Sequence, residues 1–199
     1  MIQDICCEFC GIPLALESTQ ICIDCERHRP AFSAMRSWAI FDGPLRKAIH
    51  QLKYKRDLAL GEILALPLGQ ILQTEEWPID LVLSVPLSQK RLASRGYNQA
   101  NLLARPLALR LSLRYAPGAL KRVRETATQI GLSPPERHRN VTNAFDADLR
   151  IVSNSNVLVV DDVITTGATM QACTQSLLDA GAKQVFAISV ARAGNTGLL

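Results

Sequence analysis

The sequence predicts an α/β protein, in which a parallel sheet is flanked by helices and preceded by a small N-terminal four-cysteine zinc-binding domain. Residues 157–160 are a continuous apolar run, and a helical pattern follows at 170–180, as expected for a strand buried on both faces and its crossover helix. A second apolar run, residues 80–86, has the same character. We therefore expect a metal-binding domain over residues 1–33 and the sheet domain over residues 34–199.

The zinc prediction depends on two Cys-x-x-Cys pairs separated by eleven residues. The four cysteines are Cys7, Cys10, Cys22 and Cys25. Each pair can present two thiolates to one ion, and four thiolates form the tetrahedral site that suits Zn²⁺. The segment is too short for a core of its own, so the metal would supply much of its folding free energy. Cys6 is either a spare thiol or a competing ligand, His28 is a weaker alternative ligand, and an iron–sulfur cluster is the less favoured occupant.

Apolar spacing predicts the first elements of the sheet domain. They are a strand at 37–41, a helix at 45–54, a second helix at 57–73 that is kinked at Pro67, and a strand at 80–86. The turn Asp-Gly-Pro before the first helix is typical of a helix start. The face of that helix opposite its apolar residues is cationic; it carries Arg46, Lys47, Lys53, Lys55 and Arg56.

The second half of the chain continues the alternation. It predicts a basic, turn-prone loop at 87–99, a helix capped by Asn98 that ends near 111, a strand or edge hairpin at 119–124, a short helix at 137–145, a polar connection at 146–156 and a last strand at 184–190. Gly181 is expected to stop the helix at 170–180. Arg192 follows the last strand.

Two carboxylates, Asp161 and Asp162, come directly after the apolar run at 157–160. The small, hydroxyl-rich loop after them opens the next helix; it contains Thr165, Thr166, Gly167, Ala168 and Thr169. Parallel sheets bind ligands at the carboxyl ends of their strands, and backbone N–H groups at a helix start can surround a phosphate. The pattern predicts a sugar-phosphate site, with acids for hydroxyls or a hydrated metal. The alternative is a strand that ends in two solvated acids.

Charge is unevenly distributed along the chain. The net charge is +4, yet residues 84–144 contain eleven Lys or Arg and only two acids. A basic region facing an acid pair indicates an anionic ligand such as pyrophosphate or nucleic acid, although basic solvent faces of helices would give the same composition. Lys90, Arg91 and Arg95 suit a diphosphate. Arg122 and Arg124 begin a polar stretch, 121–129, that has the composition of a mobile lid.

The composition is that of an ordinary globular protein, with 48% hydrophobic and 20% charged residues. We find no apolar run long enough to cross a bilayer and no signal-peptide pattern at the N-terminus. We therefore expect a cytoplasmic protein without a transmembrane segment, with reduced cysteines that are available to metal.

The segment VLVVDDVITTGAT, residues 157–169, resembles the phosphoribosyl pyrophosphate (PRPP) motif of type I phosphoribosyltransferases. The order of the other segments is similar to the competence protein F (ComF) family, bacterial phosphoribosyltransferase-like proteins linked to DNA uptake in natural transformation. These segments are the paired CxxC, then YKRDLALG, SVPLSQKRLASRGYNQANLLA and RVRETATQIGLSPPERHRNVTNAF. The resemblance covers nearly the whole chain.

The resemblance implies a type I phosphoribosyltransferase-like fold, an N-terminal zinc finger and a cytoplasmic location. It implies that Asp161 and Asp162 bind the ribose hydroxyls of PRPP, directly or through Mg²⁺, and that residues 165–169 bind the 5′-phosphate. Residues 84–87 with Lys90, Arg91 and Arg95 would form the pyrophosphate side, and residues 122–129 the closing loop.

Three hypotheses about function stay open at this point. The first is an enzyme that transfers a phosphoribosyl group to an unknown acceptor. The second is a non-catalytic adaptor that senses PRPP and binds single-stranded DNA, with competence proteins such as a helicase as partners. The third is a structural adaptor with a vestigial site. Whether the chain is an enzyme is left undecided by the sequence.

Overall fold

A computed structural model describes residues 5–14, 19–124 and 143–194 of the chain. The strands in these ranges are β1 (Ala34–Ile40), β2 (Leu81–Ser84), β3 (Arg114–Tyr115), β4 (Leu120–Arg122), β5 (Phe145–Ala147), β6 (Asn156–Ile164) and β7 (Gln184–Arg192). The helices are α1 (Ile23–Arg27), α2 (Gly43–Tyr54), α3 (Ala59–Glu75), α4 (Gln89–Arg95), α5 (Gln99–Arg110), α6 (Leu149–Val152) and α7 (Ala168–Asp179).

Five of the strands form a parallel sheet in the order β1-β7-β6-β2-β3, and β4 pairs with β5 in a separate antiparallel ladder. This confirms the predicted α/β fold with a parallel sheet. Strand β6 lies in the middle of the order with β2 beside it, and helices cover both faces of a parallel sheet of this kind. The carboxyl ends of β6 and β2 are therefore neighbours at one edge of the sheet.

The apolar run of β6 is fully buried because its side chains alternate between two cores. Val157 and Val159 belong to the core on the α7 side, together with Met170 and Leu177 of that helix. Leu158 and Val160 belong to the opposite core, with side chains of α3 and α5. All four residues are 0% exposed, as expected for a two-sided strand. The prediction of a buried strand at this position is confirmed.

Helices α3 and α5 cover the face of the sheet opposite α7, and they pack closely against each other. A Cβ atom added at Gly61 would lie 2.7 Å from both Cβ and the carbonyl oxygen of Leu102, so the absence of a side chain permits this approach. Helix α3 continues through Pro67. Asn98 caps helix α5, as the sequence predicted, because its side chain accepts a hydrogen bond from the N–H of Ala100.

Several local predictions were wrong. Residues 87–99, predicted as a loop, contain helix α4, because the hydroxyl of Ser88 accepts the N–H of Arg91 and Gly96, at φ 83°, ends the helix. The predicted polar connection at 146–156 contains α6, which Asp148 caps, and most of β5. The predicted helix at 137–145 is wrong at Phe145, which lies in β5.

The remaining predictions concern residues 119–145 and the acid pair. Residues 125–142, which carry most of the predicted closing loop and most of the predicted helix at 137–145, lie outside the described part of the chain. The strand predicted at 119–124 is confirmed as β4, which pairs antiparallel with β5. Strand β6 continues to Ile164, so the acid pair lies within the last residues of the strand and not beyond its end.

The cysteine-rich segment lies against β1 and β7. The N–H of Met35 donates to the carbonyl oxygen of Phe9 at 2.6 Å, and the guanidinium of Arg192 donates to the carbonyl oxygen of Cys10. Gly11, at φ 66°, approaches so closely that a Cβ atom there would lie 2.3 Å from the carbonyl oxygen of Met35. The segment is thus attached to the sheet through its main chain. A domain boundary at residue 33 stays a prediction.

Across the described ranges, none of the helices combines the length and the apolar character that a bilayer-spanning segment needs.

Candidate functional site

A cleft of about 1280 Å³ lies at the carboxyl edge of the sheet, between the end of β6, helix α4 and the last turn of α2. It brings together residues of the predicted sugar-phosphate segment and residues of the predicted basic region. Those lining it are Asp161, Asp162, Thr165, Gly167, Ala168, Thr169, Lys90, Arg91, Arg95 and Arg122. Thr166 and Arg124, which were also predicted for the site, are not among its lining residues. The cleft therefore has an acidic and small-residue wall, formed by β6 and the turn after it, and a basic wall, formed by α4 and β4.

The small-residue wall is the turn between β6 and α7. Gly167 precedes the helix at φ 79°, a left-handed conformation that glycine adopts without strain, and no side chain caps the helix from that position. The hydroxyl of Thr166 accepts the N–H of Ala168 at 3.4 Å. First-turn N–H groups have no acceptor within a helix, and the helix dipole adds positive potential there. This turn therefore presents a surface that suits an anion.

The two acids differ in their surroundings. Asp162 is buried; its Oδ2 lies 2.5 Å from Nζ of Lys53, and its Oδ1 accepts a long hydrogen bond, 3.4 Å, from Nε2 of Gln99. Asp161 Oδ1 accepts the N–H of Asp162 at 2.8 Å. Burial, followed by repulsion from Asp162, raises the pKa of Asp161 well above its usual range, although Lys53 and the Asp162 amide oppose this rise.

Lys53 and Gln99 are site residues that the sequence did not single out. Lys53 comes from the last turn of α2, and the sequence showed it only as one of several cations on that helix. Gln99, the first residue of α5, donates to Asp162 and accepts a hydrogen bond from Arg95 through its carbonyl oxygen. No motif marks Gln99, because its role follows from where α5 begins.

The basic wall is helix α4 with its neighbours. Arg95 is half-buried, and its guanidinium lies 5.1 Å from the ring centre of Tyr54, which is 61% exposed. Lys90 and Arg91 are exposed along the same helix. Arg122 lies on β4, with its guanidinium 5.4 Å from the ring centre of Phe145. Arginine can hold a phosphate with paired hydrogen bonds, so this wall suits a polyanionic group.

The four predicted cysteine ligands form a second site. One ligand atom from each of Cys7, Cys10, Cys22 and Cys25 lies within 4.8 Å of all the others. The sulfurs of Cys10 and Cys22 are 3.6 Å apart. Four sulfurs at about 2.3 Å from a central tetrahedral ion would lie about 3.8 Å from one another, so the cluster fits a bound metal. Among the described residues, Cys6 and His28 are outside this cluster.

The electrostatics of the cluster also favour a cation. Burial, with repulsion from Cys7 and Cys22, raises the pKa of Cys10 to about 12, and burial also raises the pKa of Cys25. For Cys7, burial also acts to raise the pKa, but the hydrogen bonds that the sulfur accepts, led by that from the Cys22 N–H, have the larger combined effect. The pKa of Cys7 is therefore lowered to about 7. Four thiolates in this space therefore need a positive ion among them, which is the role of a structural metal.

Comparisons with known proteins agree with the fold and the motif. The model of the family described as Phosphoribosyl transferase domain matches residues 92–198. The DNA utilization protein YhgH of Escherichia coli O6:H1 is 39% identical over 184 residues, which cover 90% of this chain and 80% of that protein. The Competence protein F of Haemophilus influenzae is 32% identical over 196 residues, 94% of this chain and 84% of its own length.

A solved structure of adenine phosphoribosyltransferase from Saccharomyces cerevisiae is a more distant match. It is 20% identical, with a TM-score of 0.44, over 68% of this chain and 71% of that one. The assignment therefore depends on the sequence relatives and on the family match, which together cover nearly the whole chain. This protein belongs to the competence protein F (ComF) family of phosphoribosyltransferase-like proteins.

Proposed function

We propose that this protein binds PRPP together with Mg²⁺ in the cleft and acts in DNA uptake, where it handles incoming single-stranded DNA. The observation that carries the proposal is the arrangement of the cleft. The acid pair, Asp161 and Asp162, and the turn at 165–169, of which all but Thr166 line the cleft, form one wall, and a row of cations on α4 forms the other. The names of the relatives, a DNA utilization protein and a competence protein, support the connection with DNA.

Each part of PRPP has a matching group in this arrangement. Asp161 and Asp162 would accept hydrogen bonds from the ribose hydroxyls, and the turn at 165–169 would hold the 5′-phosphate with N–H and hydroxyl groups. Lys90, Arg91 and Arg95 would hold the diphosphate. The cleft, about 1280 Å³, exceeds the roughly 300–1,000 Å³ of ordinary small-molecule pockets, so an acceptor could lie beside PRPP.

The acid pair fits Mg²⁺. Carboxylate oxygens are the donors that this ion prefers, and one or two of them are enough when phosphates and water complete the shell. Bound Mg²⁺ would supply neutralising charge for the diphosphate. The cysteine cluster fits Zn²⁺, which we propose as a structural ion.

In the enzymatic form of the proposal, the chain's own residues position PRPP and stabilise the departing diphosphate. The cations of α4 would attract the growing negative charge of the leaving group. The acids and the turn would hold the ribose and its phosphate in a fixed orientation. The acceptor that receives the phosphoribosyl group is not identified by these side chains.

A second candidate is a non-catalytic adaptor of the competence machinery that senses PRPP, binds single-stranded DNA and works with a partner such as a helicase in the cytoplasm. It is favoured by the exposure of Lys90, Arg91 and Tyr54 at the rim of the cleft. Proteins usually bind single-stranded DNA with cations along its phosphate backbone and with exposed aromatic rings that stack on its bases. Titration of an oligonucleotide at rising salt tests it: binding should weaken steeply, and a flat response would contradict it.

The experiment for the main proposal is calorimetric titration of PRPP with Mg²⁺ into the wild type and into the Asp161→Asn/Asp162→Asn variant. We expect binding to the wild type and a loss of about tenfold or more in the variant, the scale of a lost charged hydrogen bond. Equal affinity would remove the acid pair from the site, and no heat with the wild type would contradict PRPP as the ligand.

A further inference from the structure

Lys53 enters the cleft from α2, a helix that lies outside the acid-pair motif and more than a hundred residues before it. Its Nζ is 2.5 Å from Oδ2 of Asp162, and the two side chains are 22% and 4% exposed. Lys47 on the same helix and Lys55, directly after its end, are exposed to solvent. Lys53 is therefore distinguished from them by a direct contact with a buried acid.

The residues on both sides of Lys53 contact other residues that line the cleft. Leu52 is 0% exposed, and its carbonyl oxygen accepts a hydrogen bond from the hydroxyl of Tyr97. The ring of Tyr54 lies 4.7 Å from the ring of His50 and under the guanidinium of Arg95. The position of the lysine is thus set by its neighbours, and its side chain does not depend on the ion pair alone to reach the site.

Asp162 depends on Lys53 for its charge partner. Its other oxygen is contacted by the neutral amide of Gln99 at 3.4 Å, near the limit for a hydrogen bond, and the carbonyl oxygen of that amide is already bound by Arg95. A buried carboxylate that lacks a partner is strongly unfavourable. It would also repel the phosphates of any anionic ligand that approaches it.

We propose that Lys53 is the cleft's own counter-ion for PRPP: it neutralises Asp162 and directs its remaining N–H donors to the phosphates, so that PRPP binds before a divalent ion is present. An ammonium group carries three donors, so one can stay on Asp162 while the others contact phosphate oxygens. Mg²⁺ strengthens this binding but is not required for it. The inference depends on the proposed PRPP function and adds a positioning residue to that site.

The test is calorimetric titration of PRPP in EDTA and, separately, in excess Mg²⁺. The variants are Lys53→Met, which keeps the aliphatic stem, Lys53→Arg, which keeps the charge, and Lys55→Met, which removes an exposed charge two residues away. In EDTA, we expect Lys53→Met to weaken binding by about tenfold or more, the scale of one charged contact. In Mg²⁺ the same variant should lose about threefold or less, because the ion then supplies the neutralising charge. Lys53→Arg and Lys55→Met should bind nearly as the wild type does in both media.

The outcomes separate this inference from the proposed function. Wild-type binding that disappears in EDTA but persists in Mg²⁺ overturns the counter-ion role and leaves PRPP as the ligand. An equal loss for Lys53→Met in both media also overturns it, because Lys53 would then be an ordinary phosphate contact. No binding to the wild type in either medium overturns both.

A stability measurement guards against a variant that folds poorly. Lys53→Met leaves Asp162 buried without its cation, so its melting temperature should fall, and the Lys53→Met/Asp162→Asn variant should recover part of that loss. A double variant that melts no higher than Lys53→Met would show that the ion pair does not neutralise Asp162, and would overturn the inference without any ligand.

Discussion

The cysteine cluster and the acid pair both crowd anionic groups into a small space, but they balance that charge differently. Asp162 is in direct contact with a lysine of the chain itself, Lys53. Arg192, beside the cysteines, donates instead to the main-chain carbonyl of Cys10. We infer that the cysteines rely on a permanently bound metal, whereas Asp162 has a cation of the chain itself, whose remaining N–H donors can contact a ligand. The first arrangement suits structure and the second suits a ligand that comes and goes.

The largest effect is expected from breaking the cysteine cluster. Cys25→Ser should abolish metal binding and unfold the N-terminal segment, because the metal supplies much of the folding free energy of so short a segment. Metal content by mass spectrometry and a thermal melt measure this. Cys6→Ser is the matched control: Cys6 lies outside the cluster, so this variant should keep its metal. Full metal content in Cys25→Ser would contradict the four-cysteine site.

A smaller effect is expected where the cysteine segment touches the sheet. Gly11→Ala should lower the free energy of unfolding by about 3 kcal/mol, because its Cβ would collide with the carbonyl oxygen of Met35 at a positive φ. Gly118→Ala is the control: Gly118 also has a positive φ, 87°, but nothing lies within 4 Å of the added Cβ. That variant should lose only about 1 kcal/mol, from backbone strain alone. Equal losses in denaturant unfolding would refute the close contact.

The role of the turn before α7 can be tested separately from the rest of the cleft with two glycines that flank this helix, Gly167 and Gly181. Gly167→Ala and Gly181→Ala both place a side chain at positive φ, 79° and 86°. Each should cost about 1 kcal/mol of stability, and Gly181→Ala somewhat more, because its Cβ would lie 3.2 Å from Oγ of Ser153. Only Gly167 lines the cleft, so only Gly167→Ala should also weaken PRPP binding, by about tenfold, as the loop amides shift away from the phosphate. Titration of both variants decides; matched PRPP affinities would argue against the turn as the phosphate site.

The smallest effect is expected on the exposed basic wall. Arg91→Ala should weaken PRPP binding by about threefold at low salt, and by less at high salt, because exposed charges are screened. Arg110→Ala, on an exposed part of α5, is the control and should leave the affinity unchanged. A loss for Arg91→Ala that does not vary with salt would mean that this side chain is not a solvent-exposed electrostatic contact.

The sequence predicted those parts of the molecule that depend on local pattern. The apolar run of β6, the cap at Asn98 and the spacing of the cysteines each follow from neighbouring residues, and the structure confirms the strand and the cap. The acid pair and the basic residues of α4 were predicted from motif and charge, and they do line one cleft.

The parts that the sequence did not predict depend on tertiary contacts or on competing local signals. The pairing of Lys53 with Asp162 joins residues that are 109 positions apart, and nothing near Lys53 distinguishes it from Lys55. Strand β5 is only three residues long and exists through its pairing with β4. Helix α4 was not predicted, because its polar, turn-prone residues indicated a loop and the cap at Ser88 was not recognised.

The most direct test of the account is a crystal structure of the protein with PRPP and Mg²⁺. We predict the 5′-phosphate at residues 165–169, the ribose hydroxyls at Asp161 and Asp162, and the diphosphate facing α4. PRPP bound elsewhere, or with its diphosphate on the turn before α7 and its ribose away from the acids, would contradict the central claim that this cleft is a PRPP site.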